Sequence, residues 1–260
     1  MGPREGGDTG NRRLPRRITP MGRFLLRSAG RLAEWIGPRW TVLLILAVGA
    51  TVVTMMTAAS AEIYDAVSES DDIASLDRPV LHAAVEMRTP WLNDAVTAFT
   101  NLGGKIIMPV LAAIATGILV YLRQSVAPLI LMVAAAAGSL LMTIVGKDAI
   151  GRMRPPLEAA VPPFSTSPSF PSGHTLNATV IAGVVAYILV LHLRTNRSRI
   201  LAIVLAGLFA VAMGLSRVYL GHHWLTDVAV AWTLGLAWLA VLITAHRLLF
   251  TLKKRRKHRA

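Results

Sequence analysis

Long stretches without a single charge dominate this chain, and they leave it few folds to adopt. Of its 260 residues 54% are apolar and only 16% are charged. A soluble domain of that length carries more charge and breaks its apolar residues into shorter, periodic runs. Reading uninterrupted apolar windows of about 17–25 residues as membrane spans gives six candidates, near residues 40–60, 106–122, 127–146, 174–193, 200–220 and 224–250. The second is barely long enough and is expected to begin earlier, at Gly103 or Gly104. There is no internal repeat and no strand-like alternation of useful length. The expected fold is therefore all-α, a polytopic membrane protein with six transmembrane helices.

The formal net charge of +13 suggests nucleic acid until its distribution is considered. Nine arginines precede Trp40, and seven Lys/Arg follow Ala245. Arg123 and the group Arg194, Arg197 and Arg199 occupy the two other short loops on the same side. By the positive-inside rule these segments are cytoplasmic, so both termini face inward. Eight of the fourteen acidic residues fall between Glu62 and Asp94, in the first outward loop. The basic ends read as a topology signal with affinity for anionic lipid, and nucleic acid is not an expected partner. With no cysteine, neither a disulfide nor thiol chemistry is available.

Three regions follow. Residues 1–39 form a basic cytoplasmic segment, expected to be disordered over 1–20. Over 21–37, Leu25, Ala29, Leu32 and Ile36 share one helical face opposite Arg23, Arg27 and Arg31. That pattern fits an interfacial helix or a plain stop-transfer flank. Residues 40–250 form the membrane domain, and 251–260 a basic cytoplasmic tail. Ala59-Ser60-Ala61 resembles a signal-peptidase site, but the apolar run before it is longer than a usual signal segment, which favours a retained helix. Within the domain, residues 61–105 are too polar to span. Ile73, Leu76, Val80, Leu81, Ala84 and Trp91 recur there at helical intervals, as in amphipathic helices on the membrane surface. The loop from Lys147 to His174 carries six of the fourteen prolines and must be extended and stiff.

Three short signatures carry chemistry: KDAIGRMRP from Lys147, Pro171-Ser172-Gly173-His174, and SRVYLGHHWLTD from Ser216. Counting spans from an inward N-terminus puts all three at the outer face. His223 and Asp227 are four apart and share a helical face if the last span starts near Trp224. The carboxylate can then fix the imidazole tautomer and make its other nitrogen more nucleophilic. His222, five residues from Asp227, points elsewhere and is the weaker candidate. Lys147, Arg154 and Arg217 read either as headgroup-snorkelling cations or as a clamp for phosphoryl oxygens. Arg152 is a possible fourth cation, peripheral to them. Pro171–His174 opens the fourth span, where free backbone N–H groups make an anion site. Gly173 lets the backbone approach, Ser172 adds a hydroxyl donor, and His174 stands ready to protonate a departing oxygen. On its own the tetrad is also an ordinary helix cap.

Taken together these residues resemble the type 2 phosphatidic acid phosphatase (PAP2) family, the membrane branch of a superfamily that includes vanadium haloperoxidases. The family pattern is Lys, six residues, Arg-Pro; then Pro-Ser-Gly-His; then Ser-Arg, five residues, His, three residues, Asp. Lys147, Arg154 and Pro155, Pro171 to His174, and Ser216, Arg217, His223 and Asp227 match it throughout, and the resemblance covers roughly residues 60–245. It implies that His223 attacks phosphorus to give a phosphohistidine, that Asp227 orients it, and that His174 protonates the leaving group. Lys147, Arg154, Arg217, Ser172 and the Gly173 amide would hold the phosphate, and no metal or other cofactor is needed. Few outward carboxylates lie near the site, which also disfavours a magnesium pair over this chemistry. The implied activity is hydrolysis of a lipid phosphate at the outer leaflet of a plasma membrane. Undecaprenyl pyrophosphate, phosphatidylglycerophosphate and phosphatidic acid are the candidate substrates, with the polyprenyl carrier favoured on family frequency. A phosphotransferase using the same site with an alcohol acceptor is one competitor. A phospholipid transporter is another, although transporters usually carry ionisable residues inside their spans.

Overall fold

A computed structural model describes residues 38–69 and 72–257, and every regular element among them is helical. Helix α1 (Pro38–Glu69) is followed by a 3-10 turn (Asp72–Leu76), α2 (Asp77–Glu86), α3 (Pro90–Asn101), α4 (Ile107–Arg123) and α5 (Ala127–Ile150). A second 3-10 turn (Leu157–Ala159), α6 (Gly173–His192), α7 (Asn196–Tyr219) and α8 (Leu225–Lys257) complete the chain. From Ile45 onward the described residues form one compact unit; the stretch ending at Leu44 is a separate one. The segments expected to be disordered (1–20) or interfacial (21–37) lie outside the described residues.

Among the described residues, five helices are long and apolar enough to cross a membrane: Val42–Asp65, Ala127–Ile150, Gly173–His192, Asn196–Tyr219 and Leu225–Leu252. The sixth expected span is α4, which is shorter at 17 residues. At 1.5 Å per residue it rises about 26 Å, slightly less than the ~30 Å of hydrocarbon. It does not start at Gly103 or Gly104 as expected. Those two N–H groups turn back onto Thr100 O and Asn101 O, both at 2.9 Å, and residues 102–106 form turns.

Burial explains the bundle. Helix α6 lies at the centre, packed against α5, α7 and α8, with Leu176, Ala178, Val180 and Val184 essentially inaccessible. The outer helices are inverted relative to a soluble protein. Leu129, Ile130, Val133 and Leu141 of α5, and Ile200, Leu201, Val204 and Leu208 of α7, are exposed. Apolar belts of that extent belong against lipid. Polar atoms inside the bundle find partners across helices, as a water-free environment requires. Ser139 Oγ donates to Asn177 Oδ1 at 2.6 Å, and Trp238 Nε1 donates to Ala134 O at 3.2 Å. Helix α1 continues through Ala59-Ser60-Ala61, and Ser60 Oγ lies 2.7 Å from Thr233 Oγ1 of α8.

The region between the first two apolar helices is helical, as its pattern suggested, and packs through α2 on α7 and α8 and through α3 on α7. Its recurring apolar residues are only partly covered: Leu81 is buried, whereas Leu76 and Trp91 are exposed. A buried carboxylate, Asp77, opens α2.

Two glycines set where the site-bearing segments turn. Gly151 (φ 59) ends α5, its N–H closing on Lys147 O at 3.0 Å, and sends the chain into the proline loop. Gly221 (φ 69) turns the chain between α7 and α8, and any Cβ there would sit 1.8 Å from Ala159 O. Only glycine tolerates that backbone and that approach together. Val161 N–H then bonds Leu220 O at 2.9 Å, pinning the proline loop to the turn that carries His222 and His223.

Candidate active site

The end of α3, the end of α5, the start of α6, the end of α7 and the turn between α7 and α8 converge on one cavity of about 550 Å³. Lys147, Arg154, Gly173, His174, Arg217 and His223 all line it. Among the described residues no acidic side chain lines it, so its charged lining is cationic. Both imidazoles singled out from the sequence therefore face the same space.

His223 is buried, and burial pushes its imidazole down to about 3 from an ordinary 6.5, with Asp227 acting in the opposite sense. The ring is thus neutral at physiological pH, the form a nucleophile requires. Its Nδ1 lies 3.4 Å from Asp227 Oδ2 without the geometry of a formed hydrogen bond, and makes none elsewhere among the described residues. Such pairs commonly tighten only once a substrate is bound. On the opposite edge of the ring, Nε2 stands 3.4 Å from Arg154 Nη1. The Nε2 edge therefore faces a guanidinium and the Nδ1 edge a carboxylate.

Asp227 is fully buried and held from two sides. Oδ2 accepts the Trp224 N–H at 3.0 Å, which caps α8, and Oδ1 accepts from Arg152 Nη1 at 2.6 Å. The expected reading of Arg152 as a peripheral cation holds only in that it does not line the cavity. It is an ion-pair partner of Asp227, the carboxylate behind His223. Its signal in the sequence was its charge: a guanidinium beside a buried segment needs an anion, and Asp227 was already known.

The three clamp cations differ in how their donors are used. Arg154 gives Nε to Ser167 O at 2.7 Å, Nη1 to His222 O at 2.5 Å, and Nη2 to Ser167 Oγ at 3.2 Å and Pro168 O at 3.4 Å. Four of its five N–H groups are engaged by neutral oxygens, and the fifth is left on the His223 side. Burial lowers its pKa from the ordinary value without removing the charge. Lys147 Nζ donates to Pro168 O, leaving two further N–H donors. Arg217 is buried, with Nη1 on Thr100 Oγ1 at 3.2 Å and Nε without a partner. A buried guanidinium nitrogen with no protein acceptor is an uncommon arrangement.

Gly173 opens α6 at the cavity wall, with the first-turn N–H groups of that helix around it. Ser172 does not line the cavity. It is buried, its N–H bonds Asp227 O at 3.2 Å, and its Oγ accepts from Thr175 Oγ1 at 2.9 Å. His222, the weaker histidine, does line the wall, with Nε2 2.6 Å from Val161 O. Burial and then Arg217 lower it to about 4.

Sequence reasoning missed Lys105, Thr100 and Asn177, which complete the wall from outside the three signatures. Lys105 sits in the turn before α4, and no spacing rule links it to Lys147. Asn177 follows His174 by three residues on α6, so a helical-face count from His174 points to it.

A family model described as the PAP2 superfamily matches residues 127–250. Phosphatidylglycerophosphatase B of Bacillus subtilis (strain 168) is 36% identical over 176 residues, which is 67% of this chain and 85% of that protein. Among solved structures, the transmembrane PAP2 type phosphatidylglycerolphosphate phosphatase from Bacillus subtilis superposes with a TM-score of 0.66 at 32% identity, covering 76% of this chain and 96% of that one. LpxE of Aquifex aeolicus superposes with a TM-score of 0.50 at 23% identity, over 65% of this chain and 94% of that one, a likeness of fold alone.

Proposed function

The chain belongs to the PAP2 superfamily, and on that premise we propose that it is a multi-pass membrane lipid phosphatase working through a phosphohistidine on His223. One observation carries the mechanism. A neutral, buried imidazole presents Nε2 to a carboxylate-free, cation-lined cavity, with Asp227 at its back.

The substrate phosphate enters between Lys147, Arg154, Arg217 and the N–H groups at the start of α6. His223 Nε2 forms a bond to phosphorus as the bond from phosphorus to the lipid oxygen breaks. Asp227 stabilises the positive charge that grows on the ring. His174, on the same cavity wall, gives its proton to the departing lipid alkoxide. In the second step His174 takes a proton from water, the water oxygen bonds to phosphorus, and the N–P bond breaks to release inorganic phosphate and neutral His223. Ser172 acts at the edge of this set, steadying the start of α6.

Phosphatidylglycerophosphate is the leading substrate, since the curated Bacillus subtilis relative and the solved Bacillus subtilis structure are both described by that activity. Undecaprenyl pyrophosphate and phosphatidic acid are the comparison substrates. The charge asymmetry of the sequence supports cytoplasmic termini and a site on the outer side of the plasma membrane. The deciding experiment measures phosphate release by the detergent-purified protein from each of the three lipids, together with capture of labelled enzyme after quenching in alkaline denaturant. Wild type should release phosphate without an added alcohol acceptor and carry acid-labile, base-stable label, and His223→Ala should do neither. Phosphate release by His223→Ala would refute the nucleophile.

A further inference from the structure

Behind the nucleophile lies a second polar cluster that the mechanism above does not use. Arg152 Nη1 donates to Asp227 Oδ1 at 2.6 Å and to Thr226 Oγ1 at 2.8 Å, while Nη2 donates to Asp77 Oδ2 at 2.7 Å. Asp77 also accepts the Thr226 N–H at 2.9 Å and the Thr226 hydroxyl at 2.7 Å. Asp77, Thr226 and Asp227 are all buried, and the Arg152 guanidinium lies 5.7 Å from the Trp224 ring. Asp77 thus brings a carboxylate from α2 to the first turn of α8, one residue from Asp227.

We propose that Arg152 and Asp77 are positioning residues for the phosphoryl transfer, locking the Asp227 carboxylate in the orientation from which it aligns His223. This rests on His223 being the nucleophile. Asp227 has two oxygens: one is fixed by Arg152, so the other is left for the Trp224 N–H and His223 Nδ1. Without Arg152 the carboxylates of Asp77 and Asp227 would be buried near each other with no cation between them. Like charges in such a place force one to protonate or the pair to separate. Either outcome turns Oδ2 away from the imidazole while leaving the phosphate clamp at the front untouched. Asp77 acts one step further back, by holding the outer half of the guanidinium and the first turn of α8. The outward α2 is in this way mechanically part of the catalytic apparatus and not only a cover.

A cluster that merely held the fold together would lower stability and affinity along with turnover. A positioning cluster lowers kcat alone. The test measures kcat, KM and competitive inhibition by inorganic phosphate for wild type, Arg152→Gln, Arg152→Lys, Asp77→Asn and the Asp77→Asn/Arg152→Gln double variant, with phosphatidylglycerophosphate in detergent. Arg152→Gln should lose about 10–100-fold in kcat, with KM and phosphate inhibition within about threefold. Arg152→Lys should recover part of that loss, Asp77→Asn should lose less, and the double variant should be no worse than Arg152→Gln. A kcat within twofold of wild type in both Arg152→Gln and Asp77→Asn, or a loss in kcat matched by an equal loss of phosphate inhibition, overturns the proposal. If Arg152→Gln does not fold, Asp77→Asn alone decides it by the same split. Phosphate release by wild type and none by His223→Ala show that the underlying reading stands, so a failure here is separable from a failure there.

Discussion

Arg152 and Arg154 stand two residues apart in one signature, yet they are put to opposite use. Arg152 meets two buried carboxylates, so its charge is spent within the protein. Arg154 meets mainly neutral oxygens, so its donors are mostly engaged while its charge is not cancelled. The first geometry makes an internal brace, and the second leaves a positive charge at the cavity wall, as the proposed phosphate site requires. The lesson is that a cation's role is read from the charge of its partners, not from the number of its hydrogen bonds.

Substitutions at the front and the back of His223 should separate accordingly. Removing the imidazole, in His223→Ala, should cost roughly 10⁴-fold or more in phosphate release with membrane insertion retained. Asp227→Asn should lower kcat by about 10³-fold while KM moves little, since it stands behind the ring; a rise in KM of the same size would place Asp227 in the clamp. Arg154→Ala should cost about 10²–10³-fold and, unlike the Arg152 variants, should abolish inhibition by inorganic phosphate. Equal phosphate inhibition in Arg154→Ala and Arg152→Gln would dissolve the distinction between the two arginines. Gly221→Ala forces a side chain onto Ala159 and should destabilise the protein by about 2–4 kcal/mol, seen as a lower unfolding temperature in detergent.

The smallest expected effect is one of pH. His222 and His223 are held near 4 and 3, against 6.5 in an unfolded chain. Between those values the unfolded state binds protons that the folded state excludes. The contribution of these two rings is therefore fully present above about pH 6.5 and is lost as pH falls toward 4 and 3. Unfolding temperature should decline over that range, and His222→Gln should make the decline shallower. An identical slope in that variant would mean that His222 is not shielded from solvent.

The sequence made the membrane class and the front of the site legible because both rest on local regularities. Charge-free runs have a length set by the bilayer, and Lys147, Arg154, His174, His223 and Asp227 sit in short motifs whose spacing encodes helix ends. The back of the site was illegible for a matching reason. Asp77 meets Thr226 across 149 positions of sequence, and no periodicity spans that separation. Lys105 likewise reaches the cavity from a turn where a longer α4 had been expected, because Gly103 and Gly104 close back onto α3 before α4 begins. Ser172, whose place in a motif suggested a direct contact, was turned inward by its neighbours Thr175 and Asp227.

The carbonyls of Ser167 and Pro168 occupy donors of Arg154 and Lys147 that an incoming phosphate would also seek. The proline-rich strap thus serves as a resident counter-ligand, keeping mutually repelling cations in register through the pause between turnovers. A lipid phosphate entering as proposed would then exchange oxygens with the strap, peptide for phosphate and back again.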